Sequence, residues 1–341
     1  MNTPIISVII ATYNSSDRVP KLKETLDRQV DEHGEPWGDR LQVLCVDGGS
    51  TDATRDLALE AQWSVIDNPA GDPVSAKVIG WEASSSDLVC LLDHDEVLIN
   101  PDSLARKSQA LISHPTVVAV FSSGYYIKNL RSQDAYLSEF GDAFSSFAYR
   151  SRNNSSARNR LGRVTPEQTA RSLRIYNTPK TRNRILLEIA AQGVLISKAR
   201  LAQALGQARS TGQVLLRGAG LTFLAESAQV ALLNDDPVGH DPRASWSLLR
   251  AKGRWRLHNN LRITKASGGA FRSREGRHTT ILVAILYSLH VVTVFPLVAR
   301  ATVISVRSRK NYFFGHVFLS FALLFDALAV LLRPEQGRYG S

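Results

Sequence analysis

Leu88-Val89-Cys90-Leu91-Leu92-Asp93-His94-Asp95-Glu96 is the stretch from which the fold of this chain is read. A run of apolar residues that gives way to a cluster of acids describes a buried parallel strand leaving the core at its carboxyl end. Open α/β sheets hold their ligands outside that end. Asp93 and Asp95 stand two apart, so in a chain that stays extended they project to one face and can converge on one divalent cation. Oxygen ligands suit Mg2+ or Mn2+, the ions that accompany a diphosphate. An isolated Asp-x-Asp can equally be an acidic turn ahead of the helix that begins near Pro101-Asp102, so what precedes it decides.

Upstream, Ile5 to Ala11 is a β-branched run followed by turn chemistry, Thr12-Tyr13-Asn14-Ser15-Ser16-Asp17, and a helix from about Val19 to Gln29. A second run, Leu41 to Val46, ends at Asp47-Gly48-Gly49-Ser50-Thr51-Asp52, where glycine permits a tight turn and Ser50 or Asp52 can cap the next helix. A short strand over Ser64 to Ile66 and a helix over Ser75 to Ala83 complete the series. Strand and helix alternating at this spacing predict an α/β fold with a doubly wound, mostly parallel sheet. The polar exits at Tyr13, Asp47 and Asp93 then lie along one edge.

Four segments carry a family resemblance: Ile5-Ile-Ser-Val-Ile-Ile-Ala-Thr-Tyr-Asn14, Val46-Asp-Gly-Gly-Ser-Thr-Asp-Ala-Thr54, Lys77-Val-Ile-Gly80-Trp-Glu-Ala83 and Leu91-Leu-Asp-His-Asp95. In order and spacing they resemble the nucleotide-sugar half of a family 2 glycosyltransferase of the GT-A fold, over about the first 125 residues. The resemblance implies that Thr12 and Tyr13 border the nucleoside, the Tyr13 ring stacking on the base. It also implies that Asp47 reads the base edge, that Lys77 lies near the phosphates, and that Asp93 takes the ribose or the metal. Asp95 would bind the metal, and His240, in Val238-Gly239-His240-Asp241, resembles the late histidine that completes the metal or diphosphate site. The implied cofactor is a divalent cation, Mg2+ or Mn2+, and the implied donor a nucleoside-diphosphate sugar. Taken residue by residue, Asp47 could also be a helix N-terminal anion, Lys77 a solvated surface charge and His240 a histidine bonded in a turn.

The acceptor half, over about 126–243, departs from the family. Gln192 to Ala199 resembles the strand near the acceptor site, and Leu215 to Phe223 the end of the following helix. The acidic pair that supplies the general base does not match, since Ser210-Thr211-Gly212-Gln213 contains no acid. Glu188, Glu226, Asp235 and Asp236 are the replacement candidates, and nothing in their neighbours chooses among them. A phosphate acceptor, already ionised, needs little help from a base. Tyr149 to Arg184 holds ten Arg and Lys against one acid, Glu167, and is predicted to be a flexible basic loop, either a solvated surface or a patch for phosphorylated acceptors or anionic headgroups.

At 341 residues with a net charge of +10, the chain has room for one large domain plus an appendage and favours polyanionic partners. Nucleic acid is not among those expected, because aromatic residues do not interleave with the charge and no binding motif accompanies it. Cys45 and Cys90 fall inside strand-like runs and read as buried small hydrophobes in a reducing compartment. The amino terminus reads as the first strand and lacks a signal-peptide pattern.

Trp246, Trp255 and the basic residues within 244–278 predict an amphipathic, interface-lying segment. Two apolar stretches within 279–332, roughly Thr279 to Ala299 and Phe313 to Leu332, each approach the ~20 residues that cross a bilayer, ahead of a tail over 333–341. A re-entrant or surface hairpin is the alternative. The expectation is thus a membrane-bound, metal-dependent, inverting glycosyltransferase with its catalytic domain facing the cytoplasm. It would act on a lipid-linked acceptor in surface polysaccharide or glycolipid synthesis. A catalytically degenerate homologue serving as a sugar-nucleotide-binding or assembly partner is the alternative that the missing acidic pair raises. A nucleotidyltransferase would carry a glycine-rich, arginine-containing loop after the first strand, which Ala11-Thr12-Tyr13-Asn14 is not.

Overall fold

The computed structural model describes residues 5–126, 131–140, 142–144, 147, 161, 166–170, 172–177, 191–205, 229–254 and 277–332. By internal contacts the chain divides into two units: Met1–Lys128 with Ser156–Asp241, and Asn129–Ser155 with Pro242–Ser341.

The first unit opens with four β-branched or apolar runs that pair in parallel: β1 (Ile6–Thr12), β2 (Leu41–Asp47), β3 (Ser64–Asp67) and β4 (Leu88–Asp93). Register sets Thr12 opposite Asp47 and Ala11 opposite Asp93, so all the strands end together. The connecting helices are α1 (Val19–Asp27), α2 (Thr54–Glu60) and α3 (Pro73–Ala83). Side chains of a strand alternate between faces, and the sheet accordingly has two cores. Ile9, Val46 and Leu91 pack with Trp81 of α3 on one side. On the other, Val8, Ile10, Cys45 and Cys90 pack with Leu22 of α1 and with Leu104 and Leu111 of α4 (Ser103–Ser113). Both cysteines are free thiols with no water access. Asp72 caps α3 by accepting from the Val74 and Ser75 amides. Gly80 lets that helix settle on β1: a Cβ there would lie 2.4 Å from Ile9 Cγ2.

The parallel arrangement holds through β3-β2-β1-β4 and then changes. β5 (Glu96–Leu98) comes just before α4, and after that helix come β6 (Val117–Phe121), β7 (Gly124–Tyr126), β8 (Gln168–Thr169), β9 (Leu173–Asn177), β10 (Val194–Ser197), β11 (Gln229–Leu233) and β12 (Pro237–His240). Among the described residues the large sheet runs β3-β2-β1-β4-β10-β6-β11-β9-β8, with β10 antiparallel to both β4 and β6. A second sheet, β5-β12-β7, stands beside the acidic turn. Of the expected basic loop over 149–184, residues 173–177 and 168–169 are the last two strands of the large sheet; most of the remainder lies outside the described residues.

In the second unit, α5 (Ser132–Phe140) packs with the helical stretch 246–254 and with the carboxyl-terminal helices. Those helices are α7 (Arg277–Val292), α8 (Phe295–Ser308) and α9 (Phe313–Leu332), numbered after α6 (Lys198–Leu205) of the first unit. Tyr136 is fully buried here against Tyr312 and His316. The apolar stretch expected to run unbroken over 279–299 is two helices bent by 88° at Thr293-Val294. Pro296 in the first turn of α8 has no N–H to continue the α7 ladder, and Val294 takes φ +59°. Among the described residues no single helix is long and apolar enough to cross a membrane; the bent pair passes by length and composition together. Trp255 and the remainder of 244–278 beyond residue 254 lie outside the described residues.

Candidate active site

The site is built at the carboxyl ends of β2, β1 and β4. The sheet order reverses direction between β1 and β4, which makes their common exit a topological switch point. Neighbouring strand ends are ~4.8 Å apart, so Asp47, Thr12 and Asp93 share about 10 Å of edge.

Asp47 organises the loops at this edge. Its buried carboxylate accepts from the Thr12 and Ser50 hydroxyls, from the Gly49 and Ser50 amides at 3.2 and 2.9 Å, and from Arg55 at 3.3 Å. Burial alone would raise its pKa; the Ser50 hydrogen bonds and the Arg55 guanidinium outweigh that and hold it below the usual carboxylate range. Arg55 also reaches Asp67 at the end of β3. Thr12 is thereby turned inward to Asp47, and Tyr13 follows it outward, the residue 45% exposed. Asn14, at φ +43°, and Ser50 tie the loop after β1 to the loop after β2.

The acidic stretch does not stay extended. β4 stops at Asp93, His94 and Asp95 form a turn, and β5 starts at Glu96. Asp93 and Asp95 therefore part company, contrary to the expectation that they share one strand face. The Asp93 carboxylate pairs with Lys77, whose ammonium is buried under it at 3% exposure rather than solvated. Asp95 lies 3.3 Å from His240 Nε2 and 3.9 Å from Arg18 Nη1. His240 ends β12, opposite Glu96, and its ring stacks on Tyr125 with centroids 4.1 Å apart.

Glu96 is the residue that sequence reasoning passed over. It is fully buried, accepts from the Asp93 amide at 3.0 Å and the Gln192 amide at 2.8 Å, and takes the Tyr125 hydroxyl on its other oxygen. Burial pushes its pKa up to about 7; the Asp93 and Asp95 charges add to that, while Lys77 and Tyr125 oppose it. It clamps the turn between β4 and β5, the start of β10 and the small sheet with one carboxylate. Arg18, just ahead of α1, was likewise given no role; a lone arginine before a helix carries no signal of its distant partner.

The candidate general bases lie elsewhere. Asp236 is fully buried, 3.0 Å from the equally buried Lys107, and its carboxylate also accepts from Ser103, Ser122 and Asn100. No acceptor hydroxyl reaches it, which corrects its candidacy. Asp235 pairs with Arg106 of α4 from the turn that precedes β12, the strand whose other end carries His240. Glu188 and Glu226 lie outside the described residues.

Among the described residues no three His, Cys, Asp or Glu side chains converge to hold a metal by themselves. The expected triple of Asp93, Asp95 and His240 is therefore a pair, Asp95 with His240, and Asp93 held by Lys77. That pair fits a divalent cation: cis ligands of an octahedral ion at ~2.1 Å are about 3 Å apart, and Mg2+ takes one or two protein ligands plus phosphate oxygens.

The carboxylate of Asp95 and the imidazole of His240 thus stand at the exit of β4, beside the topological switch point. The model of glycosyl transferase family 2 matches residues 7–172, and that stretch is a family 2 glycosyltransferase domain. No curated protein matches it significantly. Similar solved structures include a mannosyltransferase from Pyrobaculum calidifontis in complex with GDP-Man and Mn2+, 14% identical, covering 98% of this chain and 89% of that one at a TM-score of 0.49. S. aureus TarS 1-349 in complex with UDP is 15% identical over 99% of this chain and 93% of its own, at 0.46. Glucosyl-3-phosphoglycerate synthase from Mycobacterium tuberculosis, in complex with phosphoglyceric acid, is 16% identical over 76% and 80%, at 0.43.

Proposed function

We propose that this glycosyltransferase uses a nucleoside-diphosphate sugar and a divalent cation, Mg2+ or Mn2+. It moves the sugar with inversion to a lipid-linked acceptor at the cytoplasmic face of a membrane, in surface polysaccharide or glycolipid synthesis. The observation that carries the reading is the pairing of Asp95 with His240 at the exit of β4, beside the Lys77–Asp93 pair.

The exposed ring of Tyr13 offers a face on which the base stacks, and the Asp47 turn fixes the loop that carries it. Asp95 and His240 hold the cation, and Lys77 adds a buried positive charge that orients Asp93. When bound, the cation supplies positive charge to the diphosphate oxygens as the bond to the sugar breaks. Inversion means one displacement: an acceptor oxygen bonds to the anomeric carbon from the side opposite the nucleotide, and the nucleoside diphosphate departs with the bonding electrons. A lipid phosphate suits the two candidate bases among the described residues, since Asp235 and Asp236 are committed to Arg106 and Lys107, and an ionised acceptor has no proton to surrender. The exposed apolar residues of the carboxyl-terminal helices, among them Phe295, Val306, Phe314 and Phe325, support the membrane part.

The test is incubation of the full chain with membrane lipids and a panel of labelled nucleotide sugars. Label is expected in the lipid extract only when Mn2+ or Mg2+ is present. Asp95→Ala is expected to lower the rate about a hundredfold or more. Full turnover in that variant at saturating Mn2+ would sink the cation's part of the proposal, and label confined to water-soluble product would sink the lipid acceptor.

A further inference from the structure

The carboxyl-terminal helices pack on one another and each turns an apolar stripe outward. On α8, Leu297, Ala301 and Ile304 are buried, and from Phe295 to Val306 the one polar residue among the exposed is Thr302, whose hydroxyl bonds back to Val298. On α9 the exposed residues from Phe313 to Ala329 are Phe314, Phe318, Phe325, Leu328 and Ala329. From Ile285 to Val292 the exposed residues of α7 are all Ile, Leu or Val. A helix facing water carries charge on its outer side. These faces carry none.

The charge beside them has one sign. Residues 277–332 contain Arg277, Arg300, Arg307, Arg309 and Lys310 against one acid, Asp326, which is buried and bonded to Arg250 at 3.1 Å. An apolar layer with an anionic surface, a leaflet of anionic lipid, complements that combination.

How the helices meet the leaflet follows from the stretch 246–254, which runs alongside α9. Trp246 fills the space over Gly315, Gly253 abuts Leu323, and Arg250 holds Asp326. Along that line, about 16 Å of helix at 1.5 Å per residue, Ser247, Arg250 and Arg254 are exposed. A crossing α9 would drag these groups through half of a ~30 Å hydrocarbon core, where an arginine is costly. The Phe stripe and the flank that meets 246–254 are roughly 120° apart round the helix, so with α9 lying flat the phenylalanines enter the acyl region while the arginines stay at headgroup level. The 88° bend and the 16 and 14 residues of α7 and α8 leave neither arm long enough to cross alone.

From this geometry we infer that the chain is monotopic: its carboxyl-terminal helices lie in one leaflet of an anionic membrane and none of them crosses it. The inference rests on the membrane part of the proposed function. It is tested by sidedness in the full chain, with single cysteines at Ser273→Cys, Asn311→Cys and Ser341→Cys and a membrane-impermeant maleimide applied to either face of sealed vesicles. All three are expected to label from the same face, and labelling of any two from opposite faces overturns the inference while leaving membrane association standing. A companion measurement is flotation with phosphatidylglycerol vesicles. Binding is expected to fall roughly tenfold or more on neutral phosphatidylcholine, and again in Phe318→Glu/Phe325→Glu, whose exposed positions leave the fold intact. Equal binding to both vesicle types overturns the anionic part of the inference; binding to neither, or a dimer in solution that the double variant dissociates, overturns inference and membrane reading together.

Discussion

Glu96 concentrates more of the site than any residue with a charge visible from outside. Its two amide partners, the backbone N–H groups of Asp93 and Gln192, lose this acceptor once the side chain is gone. Glu96→Ala is therefore expected to cost about 1–3 kcal/mol for each orphaned group. By loosening the turn that carries Asp95 it should also weaken Mn2+ binding about 10–100-fold, the usual penalty for losing a group that orients a ligand. Calorimetric titration with Mn2+ alongside urea unfolding measures the two effects separately. Asp236 is the contrasting case, a carboxylate with a structural task. Asp236→Asn strands the Lys107 ammonium in the core and is expected to cost about 3–5 kcal/mol. Burial opposes ionisation of Asp236, and Lys107 overrides it, so the folded pKa lies below that of the unfolded chain. The contribution is then complete above pH of about 4 and fades as pH falls through the folded value. Acid unfolding followed by circular dichroism should accordingly be shallower in the variant.

Among the elements, α3 is the one whose placement tolerates least. Gly80→Ala sets a methyl group against Ile9 and is expected to destabilise by about 1–3 kcal/mol, read as a lowered denaturant midpoint with an unchanged slope. This helix and the strands β1, β2 and β4 were legible in the sequence because they are long, apolar and bounded by turn chemistry. Helix α4 begins at Ser103, where Pro101-Asp102 predicts its start. The small sheet was not legible. Strands of three or four residues, such as β5, β7 and β12, are too short to show alternation, and their pairing is set by partners more than a hundred residues away. For the same reason the turn at His94-Asp95 could not be told from a continued strand, and with it the separation of Asp93 from Asp95 and the role of Glu96 stayed hidden. Pro296 stands at the break between α7 and α8, but hydropathy averaged over the stretch conceals the bend there, where Val294 takes a positive φ.

On the scale of the molecule, the chain leaves the first unit, contributes α5 to the second, and returns before leaving for good. A truncation after Asp241 therefore does not free a clean domain. It strands Tyr136 and Phe140 without Tyr312, Leu319 and Leu323, and is expected to aggregate. Replacing 129–155 by a short Gly-Ser linker in the same truncated chain should restore a soluble monomer, as size-exclusion chromatography would report.

The same threading has a cost in time. Tyr136 and His316, which share a hydrogen bond, are made 180 residues apart. At ~5–20 residues per second, α5 emerges from the ribosome roughly ten to forty seconds before the helices that will cover it. Throughout that interval a nascent amphipathic segment rich in aromatics is open to chaperones, and slowing translation lengthens the exposure in proportion.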